Sequence, residues 1–181
     1  MKNKIIDKYG SGILTRSALN LKDGYEDLVY FLSKRKIKTA VEIGTFRGLT
    51  SCVISQYCDN LITIDIENGL VENYETRQLV KKYPRRKAIW KELDITNIRQ
   101  VIINNNQEKA DLLKDIEYDF VFIDGDHSYE GVKYDYELVK ECNQILFHDY
   151  DRREGKSSPV RDFIDTLEIT EHTKDFAYVE R

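Results

Sequence analysis

The sequence has few of the residues that staple or interrupt small proteins: three cysteines, two prolines, one methionine and one tryptophan in 181 residues. Cys52, Cys58 and Cys142 are odd in number and form no C-x-x-C spacing. That argues against a disulfide framework or a zinc site and fits free thiols in a reducing compartment. No apolar run is long enough to span a bilayer. The lysine-bearing N-terminus lacks the apolar stretch of a signal peptide. A cytoplasmic protein without a membrane partner is the expectation. Excess basic charge is also missing. Lysine and arginine total 28 against 32 aspartates and glutamates, a net charge of −4. This disfavours a mainly electrostatic nucleic-acid binder. The short cluster Arg85-Arg86-Lys87 reads as a solvated loop.

What is present is enough apolar material, 41% of residues, for one sizeable core. We read residues 1–181 as a single domain, with a helical segment over 1–36 and a core over 37–181. Tyr25, Leu28, Val29 and Leu32 have helical spacing. Ala40 to Ile43 reads as a strand, Leu49 to Tyr57 as helix, and Leu61 to Asp65 as a second strand. Glu72 to Tyr83 reads as helix, closed by Pro84. Lys87 to Leu93 is the third strand candidate, and Ile98 to Ile103 reads as helix, interrupted or ended by Asn104 to Asn106. Tyr118 to Ile123 is the fourth strand, Glu130 to Cys142 a helix, and Ile145 to Phe147 the fifth strand. Ser158-Pro159 has the form of an N-cap followed by proline at the first helical position. Val160, Phe163, Ile164 and Leu167 give that helix its apolar face. Ile169 to His172 and Phe176 to Val179 close the chain as a hairpin. Strands alternating with helices imply a mostly parallel sheet covered on both faces. Ligands of such sheets bind outside the carboxyl ends of the strands.

The turn after the first strand is "VEIGTFRGLTS", Val41 to Ser51. Gly44 and Gly48 let the backbone turn tightly and approach a ligand. Asp65 ends the second strand, where a carboxylate can accept ribose hydroxyls. The glycines are spaced G-x-x-x-G rather than G-x-G-x-x-G, and Phe46 fills space that a pyrophosphate would need. Glu42 would repel a diphosphate but suits the ammonium and sulfonium of S-adenosylmethionine. The helix start near Thr50 can receive that cofactor's carboxylate.

"EIGTFRGLTS", "ITIDIE", "FIDGDHSYEGV", "ILFHDY" and "PVRDFID", in this order, resemble class I S-adenosylmethionine-dependent methyltransferases. The chain is most similar to small O-methyltransferases of the catechol type and to relatives acting on sugars and natural products. The resemblance runs from about Lys38 to the C-terminus. It implies a Rossmann-like three-layer α/β sandwich with a seven-stranded, mostly parallel sheet and a C-terminal antiparallel hairpin. It also implies that Glu42, Gly44, Thr45, Phe46, Gly48 and Thr50 form the cofactor loop, that Asp65 binds the ribose and that Ile66 lies beneath the adenine. Asp94, in "KELDI", would face the adenine amino group or else cap a helix before Thr96. Asp124 would border the cofactor and, with Asp149, bind Mg²⁺. Tyr150 departs from this pattern, because the catechol type has asparagine there and a neutral phenol is a poor Mg²⁺ ligand. Asp151 or Asp126 would have to stand in.

His127 and His148 flank the same cleft and are the candidate catalytic bases, since an imidazole can accept a proton from a substrate hydroxyl. His172, Tyr129, Tyr134 and Tyr136 read as structural. The expected reaction is methyl transfer to an oxygen of a small molecule or sugar. The alternatives are a NAD(P)-dependent oxidoreductase, disfavoured by Glu42 and Phe46, and a non-catalytic cofactor-binding or interaction protein. A homodimer is left open.

Overall fold

A computed structural model describes residues 1–14, 17, 19, 23–66, 85–150 and 158–181. Seven strands form one sheet: β1 (Ile37–Ile43), β2 (Cys58–Ile66), β3 (Ile98–Ile103), β4 (Phe120–Ile123), β5 (Gln144–His148), β6 (Glu171–His172) and β7 (Phe176–Glu180). Their order across the sheet is β3-β2-β1-β4-β5-β7-β6. β1 to β5 run parallel, and β7 lies antiparallel between β5 and β6. The chain steps outward from β1 through β2 to β3, then returns to the other side of β1 as β4. The carboxyl ends of β1 and β4 therefore flank the topological switch point, where open α/β sheets bind ligands.

Strand alternation feeds two apolar layers. On one face, Ala40, Leu61, Phe120, Phe122, Leu146, Phe176 and Tyr178 meet the helices α1 (Lys2–Tyr9), α2 (Gly24–Ser33), α3 (Leu49–Ile54) and α4 (Arg86–Glu92). On the other, Val41, Ile43, Ile62, Ile64, Val121, Ile123, Ile145 and Phe147 meet α5 (Asn106–Lys114), α6 (Tyr129–Val139) and α7 (Pro159–Ile164). Both faces of β4 are buried, so it reads as an unbroken apolar run. At α7 the Ser158 hydroxyl accepts the Arg161 N–H at 3.1 Å, and Pro159 occupies the first turn. Phe163 then inserts between Tyr129 and Tyr136, with ring centroids 5.7 and 5.6 Å away.

Three sequence readings are corrected. Lys87 to Leu93 lies in and just after helix α4, and Ile98 to Ile103 is strand β3. Arg86, Ile89, Trp90 and Leu93 have the i, i+3, i+4, i+7 spacing of a helix that packs one face on the sheet. Asn104 to Asn106 begins a helix rather than ending one. Asn105 accepts the Glu108 N–H at 3.0 Å, and the Glu108 carboxylate reaches back to the Asn104 N–H at 2.8 Å. The helix expected over Glu72 to Tyr83 lies outside the described residues. Among the described residues no helix is long and apolar enough to cross a membrane.

Candidate active site

The site is assembled where β1, β2, β4 and β5 end. Two backbone bonds extend the ladder past the strands: the Gly44 N–H donates to Ile64 O and the Asp124 N–H to Ile43 O, both at 2.9 Å. The two turns touch. A Cβ on Gly44 would lie 2.1 Å from the Asp124 carbonyl oxygen, so this position accepts only glycine, which also tolerates its φ of 89°. At Gly48, with φ 69°, a Cβ would strike the Trp90 ring at 2.6 Å, and the Trp90 indole N–H bonds Gly48 O at 2.9 Å. The loop is thus clamped between β4 and α4.

Glu42 sits on β1 beneath this loop and is fully buried. The Ser51 hydroxyl donates to its Oε2 at 2.5 Å, while its Oε1 has no hydrogen-bond partner. Burial pushes its carboxyl well above the usual carboxylate range, and the charges of Asp124 and Asp65 add to the push. Thr45 and Thr50 are also buried, and the Thr45 hydroxyl likewise has no partner.

Asp65 stands at the end of β2 as expected, but it has acquired a cation. Its Oδ2 accepts the Phe46 N–H at 2.9 Å and Arg86 Nη1 at 2.5 Å, and its Oδ1 accepts the Ile66 N–H at 2.8 Å. Arg86 is only 7% exposed, which corrects its reading as part of a solvated loop. Phe46 holds a left-handed backbone at φ 46°, unusual for an aromatic residue. Ile66 is 44% exposed at the mouth.

Asp94 is not brought to this site. It follows α4 and precedes the amino end of β3, opposite to the end where Asp65 and Asp124 stand. Its left-handed φ of 56° closes α4: the Asp94 N–H bonds Lys91 O and the Ile95 N–H bonds Trp90 O. No helix starts at Thr96, so the capping alternative also fails. The mistaken exchange of α4 and β3 caused the misplacement. The residue that follows the carboxyl end of β3 is Asn104, whose side-chain amide donates to the Glu108 carboxylate at 3.0 and 3.1 Å.

Beyond β4 and β5, two aspartates and two histidines converge. His127 Nε2 lies 3.2 Å from Asp124 Oδ1, and its Nδ1 lies 3.0 Å from Asp149 Oδ2. His148 Nδ1 lies 2.9 Å from Asp124 Oδ1 and 3.4 Å from Asp149 Oδ1. The bonds to Asp124 and then Asp149 push the His127 imidazole up to about 10. Burial opposes the charging of His148, yet the charge of Asp124 and its hydrogen bond still raise it. Both aspartates are held below their usual range, because histidine contacts outweigh the cost of burial. The repulsion between the carboxylates is therefore answered by imidazolium.

The histidines differ in access. The His127 side chain is 46% exposed, whereas His148 is buried against Phe122 and Phe176 and its Nε2 has no partner. Tyr150 turns away: its hydroxyl donates to Asp165 on the α7 side at 2.8 Å. Asp126 instead accepts the N–H of Ser128, the residue that caps α6, at 2.9 Å. Asp151 lies outside the described residues. Among the described residues, Asp124, His127 and Asp149 place their donor atoms within 4.8 Å of one another. Two carboxylate oxygens and an imidazole nitrogen form a set that fits a divalent cation, Mn²⁺ or Zn²⁺ as readily as Mg²⁺.

Residues 41–150 match the family described as "Methyltransferase domain". No curated protein sequence matches the chain. Among solved structures, the O-methyltransferase TomG from Streptomyces achromogenes, involved in tomaymycin synthesis and in complex with SAM, is 14% identical, with a TM-score of 0.62 covering 99% of this chain and 91% of that one. An O-methyltransferase from Bacillus cereus in complex with SAH is 13% identical, with a TM-score of 0.58 over 99% and 96% of the two chains. The N-methyltransferase NodS from Bradyrhizobium japonicum, 13% identical over 87% and 93%, has a TM-score of 0.50. With more than half of its length matched, the chain belongs to the methyltransferase-domain family, on the fold of the class I S-adenosylmethionine-dependent methyltransferases.

Proposed function

We propose that the crevice between β1 and β4 binds S-adenosylmethionine and that the chain transfers its methyl group to an oxygen of a small acceptor. The observation that carries this reading is the buried Glu42 carboxyl with an unpartnered Oε1, in a row of carboxylates with Asp65 and Asp124. Burial alone keeps the Glu42 carboxyl protonated, and a ligand ammonium at Oε1 would draw it to its charged form; a diphosphate would find no such match, which disfavours a nicotinamide cofactor. Glu42 takes the ammonium, Asp65 the ribose, and Thr50 the cofactor carboxylate, while Gly44, Thr45, Phe46 and Gly48 shape the loop. Ile66 underlies the adenine, and Asn104 takes the position at the end of β3 once given to Asp94.

Methyl transfer is an in-line displacement, so most of the catalysis lies in aligning acceptor oxygen, methyl and sulfur. Asp124, Asp149 and His127 supply the acceptor end. A divalent cation bound there would orient the acceptor hydroxyl and lower its pKa. Held between two carboxylates, His127 is an imidazolium and keeps its proton. It would become a base only where the carboxylates alone hold a cation; bound to the cation through its own nitrogen, it would serve as a ligand instead. His148, buried behind Asp124, positions that carboxylate rather than meeting substrate. Residues 1–181 act as one domain, the segment 1–36 laid over the core of 37–181. The three free thiols suit the reducing cytoplasm.

Calorimetry with S-adenosylmethionine, S-adenosylhomocysteine and NAD tests the cofactor. Both sulfur nucleosides should bind and NAD should not, and Glu42→Gln should weaken S-adenosylmethionine binding. Binding of NAD without either nucleoside would refute the reading.

A further inference from the structure

Resting on the assignment of Asp65 to the ribose, we infer that Asp65 grips the cofactor through one ribose hydroxyl only, and that Arg86 is the positioning residue that imposes this. A carboxylate offers about four acceptor positions, two on each oxygen. Among the described residues, Oδ2 has both positions filled, by the Phe46 N–H and by Arg86 Nη1, and Oδ1 has one filled by the Ile66 N–H. One position remains, on Oδ1. The Asp65 side chain is 12% exposed.

Arg86 does not give way cheaply. Nη1 also donates to Phe46 O at 2.8 Å, so the Phe46 peptide is bonded at both ends, its N–H to Asp65 and its C=O to Arg86. These bonds and the Arg86–Asp65 pair close a ring around the left-handed residue of the cofactor loop. The opposite edge of the guanidinium is also engaged. With its amide turned oxygen-inward, Gln100 on β3 accepts from Arg86 Nη2 at 2.6 Å and from Nε. Displacing Arg86 to free Oδ2 would strand a guanidinium, a carbonyl and an amide oxygen, none readily rehydrated at 7% exposure. The ring therefore persists when cofactor binds, and Asp65 meets a single hydroxyl.

The test compares S-adenosylhomocysteine with its 2′-deoxy and 3′-deoxy analogues by calorimetry. In the wild-type protein one analogue should lose at least about tenfold in affinity, as befits a hydrogen bond to a charged group, and the other less than about threefold. In Arg86→Gln the freed Oδ2 can take the second hydroxyl, so the two losses should converge. Arg86→Lys should restore part of the asymmetry. A purely structural role for Arg86 would weaken all three nucleosides alike and leave their ratios unchanged, which would overturn the inference. So would equal losses for both analogues in the wild type. The wild-type ratio is decisive by itself, whether or not Arg86→Gln folds. If Asp65→Ala leaves S-adenosylhomocysteine affinity unchanged, the ribose assignment falls and takes this inference with it. If that variant weakens binding while the analogues lose equally, only the role of Arg86 is overturned.

Discussion

Gly44→Ala is the substitution for which the structure specifies most. A left-handed backbone costs a residue with a Cβ about 1–2 kcal/mol. The added carbon would lie 2.1 Å from the Asp124 oxygen, 2.5 Å from its carbonyl carbon and 2.7 Å from Gly125 Cα, against an ordinary contact of at least 3.4 Å. All three atoms are backbone, so relief requires the β1 and β4 turns to part by about an ångström. Overpacking of this kind costs a further 1–3 kcal/mol or so. The sum, about 2–5 kcal/mol, is a large part of the 5–15 kcal/mol or so that holds a typical domain folded. The movement would also carry Asp124 away from His127 and His148, and a misplacement of about 1 Å costs roughly a hundredfold in rate. Urea denaturation by circular dichroism measures the first effect and methyl-transfer turnover the second. Gly48→Ala is the comparison. Its Cβ meets the Trp90 side chain, which can shift in a way that strand backbone cannot, so its penalty should be the smaller. A Gly44→Ala penalty below about 1 kcal/mol, or one no larger than that of Gly48→Ala, would show that the turns do not meet as described.

Phe163→Ala should cost about 3–5 kcal/mol, because the side chain is buried between Tyr129 and Tyr136; a loss under about 0.5 kcal/mol would mean that α7 is not docked. Mg²⁺ or Mn²⁺ should raise the melting temperature of the S-adenosylhomocysteine complex over an EDTA control, and Asp124→Asn or Asp149→Asn should each remove most of that rise. A wild type that ignores metal while both variants lose turnover would discard the ion and keep the site. In EDTA, His127 gives a signed pH dependence. Its folded value is raised from 6.5 to about 10, so its contribution is full below about pH 6.5 and fades as pH climbs through 10. Melting temperature should therefore fall between pH 7 and 10, and His127→Asn should flatten that slope. Equal slopes in the two proteins would refute the bridge to Asp124 and Asp149.

The central strands were legible because their context is simple. β1, β2, β4 and β5 are apolar runs ending in glycine or aspartate, and those endings are the site. β3 is an edge strand carrying Arg99 and Gln100, with Ile102 38% exposed, so its apolar residues fall at spacings that also suit a helix. α4 is seven residues long, and its buried face includes an arginine, which hydropathy counts as surface. Exchanging these two elements moved Asp94 to the wrong end of the sheet. Arg86 could not be picked out of Arg85-Arg86-Lys87, because its partner Asp65 lies 21 residues away, on β2. That His127 and His148 share a cleft with Asp124 and Asp149 could be read from the motifs; that one imidazole bridges both carboxylates could not, because the pairing of β4 with β5 sets those distances.

The clamp on the turn between β1 and α3 has a spectroscopic consequence. Trp90 is the only tryptophan in the chain, it is buried, and its indole N–H is bonded to the carbonyl of Gly48. Indole emission responds to the polarity and hydrogen bonding of its surroundings, so any ligand that shifts this loop changes the fluorescence of one known residue. The protein thus carries a built-in optical probe at the edge of the crevice proposed for the cofactor. Titrations and stopped-flow measurements of ligand entry can be read from it without a label, and Trp90→Phe supplies the dark control.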